Sequence, residues 1–388
     1  MTTVPKNPNR PDQHAALPRP ALGEFGRCEL SLLGTPCGEI KRLAIALIER
    51  LSNRFSIAYV DADHRGEEGP DNPFLRAGAA LHYQERDAAH KIAGQRLHYR
   101  TAINEHQRRS FFGQSDLTLV NGNHFEAGAQ VVVVDPAKSL EKKLDRLTNV
   151  RLVLLKEGVT EVPAYLSSHL PEGVPVGRFE EIEAIANFVA AFLRERQPPL
   201  NGLVLAGGRS TRMRTDKGLI AYHGQAQREF AYERLSEFCG NVFISCRADQ
   251  VKELAGFNCL PDTFLDLGPK GGILSAFRHQ PDAAWLVVAC DLPYLNRETL
   301  AYLVENRHPS KVATAFLDPT GEFPEPLVTI YEPKSYPVLL QMLGLGYACP
   351  RKTLLNSDVA LLRAPDARAL TNVNEPREYE AARRDLSR

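Results

Sequence analysis

Apolar residues recur along this chain in two rhythms. Ile40, Leu43, Ala44, Leu47, Ile48 and Leu51 fall at i, i+3, i+4, i+7, i+8 and i+11, which is one clean apolar face of a helix. Ile182, Ile185, Phe188, Val189 and Phe192 make a second such face. Around them lie short β-rich runs, at 29–33, 56–60, 117–120, 130–134 and 151–155 in the first half. The second half has its own, at 202–206, 242–245, 285–289, 312–316 and 327–330. Strand-length runs alternating with helical stretches predict parallel sheets covered by helices. Residues 74–106 read as helical or irregular, with no definable ends. Gln197-Pro198-Pro199 interrupts the pattern, because proline cannot continue a helix and pushes the residue before it towards extended geometry. The expected organisation is a flexible leader over 1–26, an α/β domain over 27–196, a linker at 197–201 and a second α/β domain over 202–388. No repeat of about 20–50 residues relates the two halves.

Composition narrows the function classes. At 388 residues the chain is too long for one ordinary domain, and 43% hydrophobic with 24% charged residues is a globular balance. Lys+Arg and Asp+Glu both total 47, spread along both halves, which argues against a nucleic-acid partner and against an acidic tail. No run approaches the roughly 18 apolar residues of a membrane span, and the proline-rich start lacks the apolar core of a signal peptide. Seven scattered cysteines without a CxxC pair indicate neither a disulfide framework nor a zinc site, so a reducing, cytoplasmic location is expected.

The chemistry concentrates in the second half. An apolar run, 203–205, delivers the chain into a loop beginning Ala206-Gly207-Gly208. Small residues let the backbone pass close to a ligand, where N–H groups can meet phosphate oxygens. Arg209, Arg212 and Lys217 add cations, so the stretch suits a triphosphate and its departing pyrophosphate; two glycines after a strand can also be a simple turn. Asp291 follows the run 285–289, placing a hard carboxylate at a strand's C-terminal edge, a position that suits Mg²⁺ or a helix N-cap. Asp262 by itself reads as an Asp-Thr turn after Pro261. Gly271-Gly272 can open an N–H-rich helix start or form a tight turn. Asn372 and Asn374 can face a ligand or cap the helix after Pro376.

Leu205-Ala-Gly-Gly-Arg-Ser-Thr-Arg-Met-Arg-Thr-Asp-Lys217 resembles the LAGGxSxRMGxDK signature of molybdenum cofactor guanylyltransferases and their cytidylyl-transferring relatives. Asp266-Leu-Gly-Pro-Lys-Gly-Gly272 resembles the family's GPxxG segment, Cys290-Asp-Leu-Pro293 its CDxP segment, and Asn372-Val-Asn-Glu-Pro376 its NxNxP segment. The resemblance implies a doubly wound, three-layer, Rossmann-like α/β/α domain. It implies nucleotide binding by Leu205, Ala206, Gly207, Gly208, Lys217, Asp262, Gly271 and Asp291. Lys217, Arg212 and Asp291 would be catalytic, with Asp291 holding Mg²⁺ and the Ala206–Gly208 amides cradling pyrophosphate. The implied reaction is GMP transfer from GTP to the terminal phosphate of molybdenum-loaded molybdopterin. A molybdoenzyme or its chaperone would be a further partner. Two departures stand out: Arg214 replaces the family's glycine, and Ile244-Ser-Cys-Arg247 lacks an asparagine that guanylyl-transferring members present to the nucleotide. CTP is therefore an alternative donor, and a non-catalytic carrier of the finished cofactor is an alternative from another class.

The first half is laid out like a phosphate loop, from Leu32 to Lys41. The nucleotide-binding form is GxxxxGK followed by Ser or Thr. Counted from Gly34, those places hold Glu39, Ile40 and Lys41, and Ile40 belongs to the apolar helix face. The surroundings resemble the GTP-binding adapter protein of the same pathway, with Asn121 where that family has an acidic strand end. The expectation is a second doubly wound α/β/α domain, P-loop-like and degenerate. Asp61, Asp63 and His64 read as a small metal or phosphate site, or as a solvated loop. His82, His90, His98 and His106 recur every eight residues, a spacing that drifts by about 80° per step on a helix, so no metal ladder is expected. Glu180, Glu181 and Glu183 read as the wet start of the last helix of this half.

Overall fold

The computed structural model describes residues 16–62, 73–85, 95–99, 101–207, 217–373 and 375–386. It divides into two compact α/β units, Leu22–Arg196 and Gln197–Arg388, the second including residues 16–21. Gly208, Arg209, Arg212, Arg214, Asp63, His64, His90 and Asn374, and the side chain of Lys217, lie outside the described residues.

The N-terminal unit runs β1 (Glu29–Leu33), α1 (Cys37–Leu51), β2 (Ile57–Val60), α2 (Pro73–Arg76), β3 (Leu81–Glu85), β4 (Gln95–Tyr99), α3 (Glu105–Phe112), β5 (Leu117–Asn121), β6 (Gln130–Val134), β7 (Val150–Leu155), α4 (Ala164–Ser167), β8 (Val176–Arg178) and α5 (Ile182–Glu195). Six of its strands form a parallel sheet in the order β2-β5-β1-β6-β7-β8. The two helical faces read from the sequence do the packing: Ile40, Leu43, Ala44 and Leu47 of α1 and Ile185, Val189 and Phe192 of α5 join one core on the same face. Leu33, Val132, Val153, Leu140 and Leu166 fill the other.

The stretch 74–106 departs from the helical reading. It contains the antiparallel ladder β3–β4, in which His82 stands opposite His98 with their rings stacked 5.9 Å apart. Leu81, Tyr83, Leu97 and Tyr99 alternate with polar residues at period two, the rhythm of a strand. All four are exposed, so burial gives this rhythm no support and the eight-residue histidine spacing conceals it.

The C-terminal unit runs β9 (Leu200–Leu205), a 3-10 turn (Lys217–Leu219), α6 (Gln227–Ser236), β10 (Asn241–Cys246), β11 (Cys259–Pro261), α7 (Pro269–His279), β12 (Ala284–Ala289), α8 (Arg297–Glu305), β13 (Ala313–Leu317), β14 (Pro324–Tyr331), α9 (Ser335–Gly344), α10 (Pro350–Leu355), β15 (Val359–Leu362) and α11 (Pro376–Leu386). The seven strands are ordered β11-β10-β9-β12-β14-β13-β15. β14 is antiparallel to both neighbours, so this sheet is mixed where a parallel one is expected. β12, with the sequence AWLVVA, is buried at all six positions, as a central strand covered on both faces must be. Ala231 and Leu235 of α6 and Leu300 and Leu303 of α8 cover one face. Ile273, Leu274 and Phe277 of α7 cover the other, with Leu339 and Leu354.

Candidate active site

β9 is flanked by parallel β10 on one side and parallel β12 on the other. The chain reaches β10 through α6 on one face, then returns over α7 on the opposite face to enter β12. Such a reversal leaves a crevice at the carboxyl ends of the strands, where open α/β sheets bind ligands. Leu205, Ala206 and Gly207 leave β9 at this edge. The Ala206 amide donates to the Ser245 carbonyl at 3.0 Å, so it continues the ladder and is not one of the cradling amides expected of the loop. Gly207 then passes close to a carboxylate: a Cβ there would lie 3.0 Å from Asp262 Oδ2 and 3.5 Å from the Arg247 amide nitrogen.

Asp262 sits just past β11, half-buried, its amide donating to the Cys246 carbonyl at 2.9 Å. Ser245 Oγ donates to Asp262 Oδ1 at 2.6 Å. Burial pushes the Asp262 carboxyl above its ordinary range, and the Ser245 hydroxyl offsets this only in part. The Asp262–Leu267 loop is stapled to α7 by Ser275, whose Oγ accepts from the Thr263 amide at 2.8 Å and donates to the Gly271 carbonyl at 2.7 Å.

Gly271 and Gly272 lie in the first turn of α7, so the helix start is formed and the simple turn is not. Each has a packing reason to be glycine. A Cβ on Gly271 would stand 2.3 Å from the Phe264 carbonyl oxygen, and one on Gly272 would stand 2.5 Å from Ser245 Oγ. Neither position tolerates a methyl group without movement of its neighbours. α7 therefore approaches β9 and β10 closely enough to bring its N-terminal turn beside Ser245 and Asp262.

On the other side of β9, Ala289 pairs with Leu205, so Asp291 follows two residues past the end of β12 at the sheet edge where Gly207 leaves β9. The segment holding Asp291 is braced from three directions. The Val373 amide donates to the Asp291 carbonyl at 2.9 Å, Gln227 Nε2 donates to the Leu292 carbonyl at 3.2 Å, and His223 Nε2 lies 3.0 Å from the Pro293 carbonyl. Asn372 thereby arrives beside Asp291 although 81 positions separate them in the chain. Tyr222 is buried against Val373 and Ala382, and burial, with Tyr379 and Asp291 nearby, raises its hydroxyl pKa.

A third acid, beside Asp262 and Asp291, escaped the sequence reading. β12 and β14 pair Val288 with Val328, and Glu325, three residues before Val328 in β14, lies within electrostatic reach of Asp291, three residues after Val288. Glu325 is buried, and its carboxyl is raised by that burial first and by Asp291 and Asp318 further down. The Leu327 amide, 2.9 Å from Oε1, and Arg351, 3.4 Å from Oε2, work against the shift. The available signal was an acid inside the otherwise apolar strand PEPLVTIY. Ser245 and Ser275 carried no sequence signal.

Of the residues expected at the site, the structure therefore brings together Leu205, Gly207, Asp262, Gly271 and Asp291. Lys217 opens the 3-10 turn that packs against α6. Among the described residues, no group of three or more His, Cys, Asp or Glu side chains is arranged to hold a metal by itself. Mg²⁺ needs no such cage, since one or two carboxylates suffice when phosphate oxygens and waters complete its shell. Asp262 and Asp291, on either side of Gly207, match that donor set.

In the N-terminal unit Gly34 has φ +95° and a Cβ there would lie 2.2 Å from the Val133 carbonyl oxygen, so the turn after β1 needs glycine. Glu39 is ion-paired with Lys156 at 2.7 Å and with Arg42 at 2.7 Å, and the Lys156 bond leads in holding its carboxyl below the ordinary range. Lys156 also reaches Asp135 at 3.4 Å. Asp61 accepts from Tyr59 Oη at 2.9 Å and from Asn121 Nδ2 at 2.7 Å. No helix among the described residues of either unit is long and apolar enough to cross a membrane.

The glycine turn at the end of β9 and the nearby carboxylates lie at the switch point of an α/β sheet, and residues 202–373 match the MobA-like NTP transferase domain family. The C-terminal unit is a nucleotidyltransferase. A molybdenum cofactor guanylyltransferase of Pseudomonas putida is 31% identical over 189 residues, which cover 47% of this chain and 97% of that protein. The chain belongs to the molybdenum cofactor guanylyltransferase family through this unit. A molybdenum cofactor biosynthesis bifunctional protein of Synechocystis sp. is 36% identical over 185 residues, 47% of this chain; the chain spans about half, 53%, of that relative's length. Among solved structures, the molybdopterin-guanine dinucleotide biosynthesis protein A of Archaeoglobus fulgidus is 22% identical with a TM-score of 0.43, covering 48% of this chain and 98% of that one.

Proposed function

We propose that the C-terminal unit transfers GMP from GTP to the terminal phosphate of molybdenum-loaded molybdopterin and releases pyrophosphate. The observation that supports this most is the convergence of Gly207, Asp262 and Asp291 at one sheet edge, with the Asn372 segment hydrogen-bonded to Asp291. An acceptor phosphate oxygen attacks the α-phosphorus, the new O–P bond forms, and the bond to the β-phosphate oxygen breaks. The nucleophile is already an anion, so positioning and charge stabilisation carry the reaction and no activated Ser or Cys is needed. Asp291 and Asp262 would hold Mg²⁺, which when bound supplies positive charge to the phosphate oxygens. Ser245 and Ser275 orient the Asp262 loop, and Gln227, His223 and Val373 fix the Asp291 backbone. Roles for Arg212 and Lys217 in balancing pyrophosphate charge rest on the sequence resemblance.

The donor base is the finer question. Ser245 Oγ is committed to Asp262 and the Arg247 guanidinium to Asp249 at 3.1 Å, so neither stands in for the asparagine of guanylyl-transferring members. This keeps CTP as the second reading. For the N-terminal unit we propose an adapter role without efficient GTP hydrolysis, because Glu39, ion-paired with Lys156, stands in the first turn of α1 at the second glycine's place, and the buried Ile40 stands at the phosphate-binding lysine's place.

The test is pyrophosphate release from GTP and from CTP, with Mg²⁺ and molybdenum-loaded pterin, in wild type and Asp291→Ala. Release with one nucleotide, abolished in the variant, is expected. Cofactor binding without release from either nucleotide would leave a carrier and sink the transferase reading.

A further inference from the structure

Arg228 occupies the first turn of α6, on the stripe Arg228, Ala231, Leu235 that faces β9 and β10. Its side chain is 3% exposed. Nε and Nη1 are both shut off from solvent and neither has a hydrogen-bond partner. A buried guanidinium without a counter-ion is costly, and a residue wanted only for packing here would be apolar. The position makes the cost worse, since the first turn of a helix carries partial positive charge and repels a cation.

The neighbourhood says where the missing charge belongs. Arg228 lies within electrostatic reach of Cys246 at the end of β10. The Cys246 carbonyl accepts the Asp262 amide, and a Cβ on Gly207 would come within 3.5 Å of the Cys246 carbonyl carbon. Arg228 thus packs from α6 against β9 and β10, the two strands whose ends carry the glycine turn and the Asp262 backbone contact. Asp262 is engaged elsewhere, its Oδ1 accepting from Ser245 Oγ at 2.6 Å.

We propose that Arg228 is the buried counter-charge of the bound nucleotide: it offsets the negative charge of the triphosphate and, after transfer, of pyrophosphate. The idea rests on the transferase reading for the identity of the anion. In a low-dielectric wall a fixed cation acts strongly on a nearby phosphate and is only weakly screened by salt.

The experiment uses the full chain and inorganic pyrophosphate with Mg²⁺ as probe, with Arg228→Met and Arg228→Lys beside wild type. The melting of the C-terminal unit is followed by fluorescence of Trp285, the single tryptophan, which is fully buried in β12. Arg228→Met is expected to melt at or above the wild-type temperature without ligand and to bind pyrophosphate about tenfold more weakly or worse, as losing a charged partner implies. Unchanged pyrophosphate affinity in Arg228→Met overturns the proposal, whatever its melting temperature. If Arg228→Met both melts lower and binds weakly, the lysine variant decides. Binding regained without regained stability supports the counter-charge, and stability regained without binding overturns it. Wild type that binds pyrophosphate but turns over neither GTP nor CTP would fail the transferase reading alone. Turnover in wild type with Arg228→Met binding normally would fail this proposal alone.

Discussion

A single methyl group at Gly272 should disturb both the stability and the binding site of the C-terminal unit. In Gly272→Ala the new Cβ would lie 2.5 Å from Ser245 Oγ, 2.7 Å from Leu205 Cδ2 and 3.4 Å from Ser245 Cβ. Favourable carbon contacts begin near about 3.5 Å, so the first two overlaps approach about 1 Å. Leu205 Cδ2 ends a side chain that can rotate. Ser245 Oγ cannot yield as freely, being held to Asp262 Oδ1 at 2.6 Å. Overpacking of this kind costs about 1–3 kcal/mol, and the better helix propensity of alanine returns at most about 1 kcal/mol. A net loss of about 1–2 kcal/mol is expected, with weaker nucleotide binding because Ser245 cannot move without releasing Asp262. Ser245→Ala alone should also destabilise, by about 1–3 kcal/mol, since it leaves a half-buried carboxylate oxygen short of its donor. In the Ser245→Ala background the main clash is gone, and Gly272→Ala should cost less than about 1 kcal/mol. The assay is urea unfolding read by Trp285 fluorescence, which reports the C-terminal unit. Equal costs of Gly272→Ala in both backgrounds, within the roughly 0.3–0.5 kcal/mol of ordinary additivity, would refute the contact as the cause.

Two further outcomes follow from the same structure. Asp262 has a raised carboxyl pKa, so its folded form holds the proton more tightly than the unfolded chain does; stability from this group is present below the ordinary carboxylate range and lost as pH rises through the raised value. Asp262→Asn should therefore be more stable than wild type near neutral pH, with a gain that shrinks on acidification, measured by urea melts across pH; a gain independent of pH would contradict this. The Arg307–Glu332 pair is bidentate, at 2.7 and 2.9 Å, with the Glu332 side chain 1% exposed, and Arg307 also donates to the Pro198 carbonyl at 3.0 Å. Arg307→Met should destabilise the unit by about 3–5 kcal/mol by stranding a buried carboxylate, and adding Glu332→Leu should recover most of it; a single variant costing under about 1 kcal/mol in denaturant melts would show that the pair is dispensable.

Much of the molecule was legible because it is local. The faces Ile40–Leu51 and Ile182–Phe192, the central strands, and the break at Pro198-Pro199 are written in spacing that a backbone of fixed period must obey. Three- and four-residue edge strands such as β8, β11 and β15 left no such trace, being too short to show a period. The β3–β4 ladder was read as helical or irregular because its apolar residues are exposed and no buried face marks their alternation.

The sequence by itself determined which motifs the second half carries and the family they resemble, since each motif carries its own chemistry within a few residues. Tertiary structure alone decided what those groups do to one another. The antiparallel insertion of β14 brings Glu325 within electrostatic reach of Asp291, the ladder takes the Ala206 amide away from the cradle, and Ser245 tunes Asp262 while excluding a side chain at Gly272. It also buries the Arg228 Nε and Nη1 without a hydrogen-bond partner on the side of α6 that meets β9 and β10. These facts depend on strand order and register between segments tens of residues apart, and local periodicity places no constraint on which distant strands become neighbours.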